Sequence, residues 1–313
     1  MEKIDLLPKD FHRNTYCPGC GSKEFKPWYR FTKNVITQRT FPAALGIFTE
    51  ELRKERKLLK CSNCSLVYQY LIPTQDLLKH LYSSSTEYKP WPPDPRRLTW
   101  NRAIKSINNT KNILDIGAND GHFLSLLPDE INKFALEPTN ANNVTLEKRV
   151  KKIFFGFIDS KIEIHEKFDT VTMFDVAEHL SDVPQAFKNI NSIMNKDGIL
   201  IIESGDSGCF VARLFKSLWW YTDYIEHFVF FNKSSLNYAL KNAGFEILSY
   251  ERVIHTDFTK EYSVSESYKQ NLLKLAKWIF SGKFDKKGKE EVIHHPFRLY
   301  CKDHFFVIAK KIK

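Results

Sequence analysis

Two cysteine pairs offer the plainest chemistry in the chain. Cys17-Pro18-Gly19-Cys20-Gly21 and Cys61-Ser62-Asn63-Cys64-Ser65 share one form. Each places two thiolates about one tight turn apart, the arrangement that tetrahedral zinc needs. Small residues after each second cysteine let backbone amides turn toward sulfur and offset thiolate charge. Together the pairs predict one structural zinc ion on Cys17, Cys20, Cys61 and Cys64. Redox chemistry is the poorer reading, because neither pair opens a helix after a strand. The remaining cysteines, Cys209 and Cys301, stand alone. About forty residues separate the pairs. They read as a hairpin followed by a charged segment at 50–57.

A second constellation is Asn112-Ile113-Leu114-Asp115-Ile116-Gly117-Ala118-Asn119-Asp120-Gly121-His122. A buried strand runs into a glycine turn and then a helix. Gly117 and Gly121 let the backbone approach a ligand closely. Glu137 ends the next strand and is placed to accept both hydroxyls of a ribose. A dinucleotide would want G-x-G-x-x-G, with pyrophosphate on the helix N-terminus. Here the third glycine is missing, and carboxylates stand at Asp115 and Asp120. Negative charge repels a pyrophosphate but suits the ammonium and sulfonium of S-adenosylmethionine. That methyl donor is the expected ligand.

These groups need elements to hold them. The chain has 313 residues, enough for one large domain and a small one. Its 25 Phe, 13 Tyr and 6 Trp can bury a sizeable core, which argues against disorder. No apolar run reaches the thickness of a bilayer, and residues 1–10 lack signal-peptide character, so a cytoplasmic location is expected. The net charge of +10 suits an anionic partner, such as a nucleotide sugar. The lysines are scattered, and a solvated basic surface fits them equally. Residues 1–90 read as a zinc-binding module, and the proline-rich run at 89–95 as a stiff linker. Beyond it strands are expected at 111–116, 133–136, 168–174 and 198–202. Helices are expected at 184–194, stopped by 195–198, and at 234–243, with Ser234 as N-cap and Gly244 past the end. Such alternation implies a mainly parallel sheet covered on both faces. Two more strands are expected at 245–253 and 304–310. Between them 265–280 reads as an amphipathic helix with Leu272, Leu275, Ala276 and Ile279 on one side. The second domain thus spans 91–313, with a helical insertion at about 258–290.

Two further motifs follow in order. They are Phe168-Asp169-Thr170-Val171-Thr172-Met173-Phe174-Asp175-Val176-Ala177-Glu178-His179-Leu180 and Asp197-Gly198-Ile199-Leu200-Ile201-Ile202-Glu203. The series resembles the class I, Rossmann-like methyltransferases over about residues 100–313. The resemblance implies a seven-stranded, mostly parallel sheet with helices on both faces, its last strand antiparallel. It implies that Asp115, Gly117, Asn119 and Gly121 hold the methionine part of the donor and Glu137 the ribose. It also implies that Asp159, in the segment 156–159, meets the adenine and that Asp175 lies at the donor. Cysteine pairs ahead of an Asn-Asp-Gly first loop further resemble the zinc-containing sugar methyltransferases of deoxysugar pathways. Those proteins carry Tyr-x-Glu-His after the fifth strand, here Tyr224-Ile225-Glu226-His227. By that resemblance His227 is the base, with Glu226 and Tyr224 assisting. The carbon methyltransferases of that group usually carry a further C-terminal domain, whereas this chain stops soon after its closing strand. Oxygen and carbon methylation therefore stand as equal options.

Methyl transfer is an in-line displacement at an already activated carbon. The protein must position the acceptor and remove a proton. An alcohol loses its proton late, and one histidine suffices. A carbon beside a ketone must lose it first, with donors for the enolate. His179 is a second candidate base, and His122 reads as structural. The expected function is methyl transfer to a sugar or nucleotide-linked sugar in polysaccharide or natural-product biosynthesis. Two readings compete. An RNA methyltransferase would use the zinc module and basic surface as grips. The tetrad that holds a flipped base amine is absent at Asp175-Val176-Ala177-Glu178, which makes nucleic acid the weaker partner. A non-catalytic cofactor-binding subunit is opposed by intact Asp115, Glu137 and His227.

Overall fold

The computed structural model describes residues 5–6, 8–30, 47–48, 55–74, 76–78, 97–138, 143–216, 219–222, 224, 226–255, 269, 272–273 and 301–313. The linker expected at 89–95 lies outside them, as does most of the insertion expected at 258–290. Within that insertion Lys269, Leu272 and Leu273 are helical and exposed.

Short strands surround the cysteine pairs. In chain order they are β1 (Asp5–Leu6), β2 (Phe11–Arg13), β3 (Phe25–Arg30), β4 (Ile47–Phe48), β5 (Lys57–Cys61), β6 (Val67–Gln69) and β7 (Leu71–Pro73). β3, β5 and β6 form an antiparallel sheet with β5 in the middle. β2 pairs with β7, and β1 runs parallel to β4. Successive side chains of a strand point to opposite faces. Leu58 accordingly packs in a cluster with Val67, Trp219 and Phe230, while Leu59 packs with the cysteines and Tyr68.

The rest of the chain alternates as expected. Its elements are α1 (Arg97–Ser106), β8 (Asn112–Ile116), α2 (His122–Ser125), β9 (Asn132–Glu137), α3 (Asn143–Leu146), β10 (Lys152–Phe155), β11 (Phe168–Phe174), α4 (Val183–Ile193), β12 (Met194–Gly205), α5 (Phe210–Phe215), β13 (Val229–Phe230), α6 (Lys233–Asn242), β14 (Phe245–Val253) and β15 (His304–Lys311). Seven strands form one sheet in the order β10-β9-β8-β11-β12-β15-β14. The first five in that order run parallel, and β15 lies antiparallel between β12 and β14. This is the mostly parallel, Rossmann-like α/β sheet that the sequence predicts. β8 and β11 are buried on both faces, as central parallel strands are, and their inward polar residues pair with one another, Thr172 Oγ1–H donating to Asp115. α4 begins at Asp182, whose side chain accepts from Gln185 N–H at 3.0 Å, with Pro184 in the first turn. It buries Val183, Ala186, Phe187, Ile190 and Ile193. Truncating the fully buried Phe187 to alanine would cost about 3–5 kcal/mol.

Two boundaries differ from expectation. The N-cap of α6 is Asn232 rather than Ser234. Asn232 is extended, its side chain accepts from the amides of Ser234 and Ser235, and Ser235 Oγ accepts from Asn232 N–H in return. That reciprocal box satisfies more amides than a lone serine would. β12 begins at Met194, before the stretch expected to be a turn. Asp197 sits there at φ 63°, and the register with β11 shifts between Phe168 and Thr170.

β13 joins the two halves. It pairs with β6 through Val229↔Tyr68 and Phe230↔Val67, adding a fourth strand to the cysteine-bearing sheet. Gln69 N–H donates to Phe228 O and Asn232 Nδ2–H to Ser65 O, each at 2.8 Å. The segments expected on either side of residue 90 therefore share one sheet.

Candidate active site

The order of the large sheet reverses at β8. β9 and β10 extend it on one side, and β11 and β12 on the other. Open α/β sheets bind ligands in the crevice outside the carboxyl ends of their strands at such a point. Gly117 follows β8 there at φ 73°. A Cβ on it would lie 2.5 Å from Val176 Cγ2, so glycine is what lets the turns after β8 and β11 meet. Asn119, at φ 55°, and Gly121, at φ 76°, continue the left-handed course. Glu137 closes the far side, where Asn119 N–H donates to its Oε1 at 2.5 Å. Burial pushes the Glu137 carboxyl up to about 8. Asp115 is buried and accepts from Thr172 Oγ1 at 2.6 Å. Asp120 is an ion-pair partner of Arg149 at 3.0 Å and accepts from His122 N–H at the same distance. Its charge is therefore partly compensated within the fold. Asp159 accepts from Ser181 N–H and Oγ–H at 2.7 Å, tying down the loop before α4. Asp175 follows β11 at φ 52°, one residue before Val176.

A second group of polar side chains lies past β11 and β12. His227 is buried, with Nδ1 2.8 Å from Tyr221 O, so Nδ1 carries the proton and Nε2 keeps its lone pair. Burial, with His179 beside it, holds this imidazole well below its ordinary value, and it is neutral at pH 7. Nε2 lies 3.9 Å from Glu178 Oε1. The hydroxyls of Tyr221 and Ser204 both donate to the Glu178 carboxyl. Burial pushes that carboxyl up and the Tyr221 hydroxyl well up. The chain bends here, since His227 N–H donates to Tyr224 O at 3.2 Å. The bend brings the Tyr224 ring to 4.7 Å from the His227 ring. Glu226 is buried, and its carbonyl lies 2.8 Å from His179 Nδ1. His179 stands edge-on to His227 at 4.9 Å and is 24% exposed, the more open of the two rings. Gln69 on β6 braces this segment, donating to Tyr224 O at 3.1 Å and His227 O at 2.7 Å.

The four paired cysteines meet at one point. Their sulfurs lie within 4.8 Å of one another. Cys17 and Cys64 Sγ are 3.6 Å apart, and Cys20 and Cys61 Sγ 3.5 Å. A tetrahedral ion with bonds of about 2.3 Å has ligand edges of about 3.8 Å, so the donor set and its spacing fit zinc. Gly19 N–H donates to Cys17 Sγ and Cys64 N–H to Cys61 Sγ. Gly21 and Ser65, after each second cysteine, are both left-handed.

Sequence reasoning did not single out Tyr221, Ser204, His255 or His304 as site residues, and Glu178 entered only as a motif neighbour. One signal was available. The 245–253 and 304–310 strands were both expected, and their antiparallel pairing sets Val253 opposite His304, which brings His255 and His304 to the same sheet edge.

Comparison with known proteins bears on the whole assembly. Residues 94–250, half of the chain, match the family model described as a methyltransferase domain. No curated protein matches the chain. Among solved structures, a chain of the complex between the Haloferax volcanii Trm112 methyltransferase activator and a methyltransferase is 12% identical. That match covers 70% of this chain and 91% of that one, at a TM-score of 0.49. A Thermotoga maritima S-adenosylmethionine-dependent methyltransferase is 20% identical over 69% of this chain and 88% of its own, at 0.45. Coclaurine N-methyltransferase bound to N-methylheliamine and S-adenosylhomocysteine is 13% identical over 68% and 72%, also at 0.45. These likenesses carry no argument about acceptor or partner. The family match rests on the same segment that holds the glycine turn, Glu137 and the strands around them, and the chain belongs to the class I S-adenosylmethionine-dependent methyltransferases.

Proposed function

We propose that the chain methylates a hydroxyl of a sugar or nucleotide-linked sugar, in polysaccharide or natural-product biosynthesis. The observation that carries this reading is a neutral, buried histidine walled by aromatic rings next to the donor crevice. Tyr221 and Tyr224 lie 4.3 and 4.7 Å from the His227 ring, and Trp220 packs against both tyrosines. Such a wall gives the C–H face of a sugar an apolar surface, while the half-buried Tyr224 and the histidines meet its hydroxyls.

In this reading Asp115, Gly117, Asn119 and Gly121 hold the methionine part of the donor, and Asp175 flanks it. Glu137 accepts the ribose hydroxyls, and Asp159 stands toward the adenine. The donor supplies an activated methyl group. His227 takes the acceptor proton on Nε2, with Tyr224 and Glu226 shaping its surroundings, and Glu178 faces the imidazolium that forms. Residues 1–90 form a module around one structural zinc ion on Cys17, Cys20, Cys61 and Cys64, and residues 91–313 form the catalytic domain.

The test offers the purified protein donor with a panel of nucleotide sugars and, separately, RNA. S-adenosylhomocysteine release with a sugar product heavier by one methyl group supports the reading. Methylated RNA with untouched sugars overturns it.

A further inference from the structure

Beside the donor crevice stands a cluster whose two histidines are buried and have no task in the mechanism above. It comprises Asp175 after β11, His255 just beyond β14 and His304 at the start of β15. One ligating atom from each lies within 4.8 Å of the others. His255 Nε2 is 3.2 Å from Asp175 Oδ2, and the two imidazole rings are 4.4 Å apart. His304 is fully buried. Its Nδ1 lies 2.8 Å from Asp303 Oδ1, which places the ring proton there. Its Nε2 has no hydrogen-bond partner among the described residues. A buried lone pair left unmet destabilises the fold. An orphan acceptor beside a second imidazole and a carboxylate is what a cation would satisfy.

The surroundings support the same occupant. Asp303 is fixed by the indole N–H groups of Trp219 and Trp220 at 3.1 and 2.9 Å. A ligating histidine almost always donates its other N–H to such an outer carboxylate, which sets the tautomer and the ring's orientation. Trp220 packs on both rings, 5.5 Å from His255 and 5.8 Å from His304.

We propose that Asp175, His255 and His304 hold a divalent transition-metal ion beside the methyl donor. Two imidazoles and one carboxylate suit zinc, iron(II), manganese or cobalt and leave coordination positions open. Asp175 immediately precedes Val176, which packs against Gly117, so the site adjoins the donor crevice. There the ion takes an acceptor hydroxyl oxygen and lowers its pKa. The hydroxyl proton passes to His227 Nε2. The oxygen lone pair forms the new bond to the methyl carbon, and the carbon–sulfur pair returns to sulfur as S-adenosylhomocysteine leaves. The ion is unchanged. This catalytic part rests on the proposed function, whereas the binding part stands without it.

The experiment titrates cobalt(II) into the protein with its cysteine site already loaded with zinc. One cobalt per chain is expected, with visible d–d bands and no thiolate-to-metal charge transfer. His255→Ala should weaken uptake by more than about tenfold, because losing an outer partner alone already costs about 10–100-fold. Asp303→Asn, the gentler change, should weaken it by about 10–100-fold, with circular dichroism reporting an intact fold. Wild-type protein that takes up no cobalt, or His255→Ala that binds it equally well, overturns the site. Turnover that is the same with and without bound ion overturns its catalytic part. A fully loaded protein that methylates no sugar sinks the acceptor reading and leaves the ion site standing.

Discussion

The cysteine cluster and the histidine–carboxylate clusters both gather ligating groups out of water, and they are built in opposite ways. Each half of the cysteine site is a single turn, closed by its own amides and a left-handed residue. The histidines and carboxylates come from the ends of β11, β14 and β15 and from the segment after α5. They meet only because β15 inserts antiparallel between β12 and β14. The first site is coded by spacing and the second by topology. A site coded by spacing tolerates rearrangement elsewhere in the chain, while one coded by topology exists only once the sheet is complete.

The largest expected break in this contrast is Cys61→Ser. Structural zinc is worth about 10–16 kcal/mol of apparent binding free energy, much of it folding free energy. Metal analysis should fall from about one zinc per chain, and thermal unfolding should move sharply down. An unchanged melting profile at unchanged metal content would contradict the structural role. His227→Ala comes next. The rate should drop by about 10²–10⁴-fold, the range for a positioned base, with donor affinity near wild type. Because its pKa lies well below the ordinary 6.5, the acid limb of the rate profile should fall below that pH and vanish in the variant. The unfolded chain takes up a proton at about 6.5 that the folded imidazole refuses, so stability should also decline as pH drops below that value. Near-normal turnover in the variant would hand the base role to His179.

Glu137→Ala should weaken donor binding by about 1.5–3 kcal/mol in titration calorimetry, the scale of a charge-assisted hydrogen bond. The ribose hydroxyls and the cationic donor favour the ionised carboxyl, which burial holds up to about 8. Wild-type donor affinity should therefore rise with pH up to about 8 and then level off, and this dependence should be lost in the variant. The smallest effect sharpens the comparison most. Gln69→Ala removes the brace between the two regions and should cost about 1–2 kcal/mol, with lower turnover and unchanged zinc content. Equal turnover would show that the module does not hold the catalytic segment.

Legibility followed the same divide. The paired cysteines, Gly117, Gly121 and Glu137 are local signals, and six of the sheet's seven strands read directly, whereas the edge strand β10, with one buried residue in four, does not. His255 and His304 carry no such signal. Each is a single histidine at a strand end, and only the Val253↔His304 register places them together. Tyr221 and Ser204 converge on Glu178 from separate segments in the same way. Asp120 has a partner hidden from the local sequence for a related reason. That partner, Arg149, comes from just past α3, beyond the next strand.

The pairing of β6 with β13 also sets a clock on synthesis. Gln69 and the His227 carbonyl it holds are 158 positions apart. Chains emerge at about 5–20 residues per second, so the edge of β6 waits roughly 8–30 s for its neighbour. An open strand edge is a template for pairing with other chains. The cysteine turns are complete by residue 64, so early metal capture would pin the β5–β6 hairpin through that interval. Metal starvation during translation should then show first as aggregation of nascent chains, before any loss in protein already made.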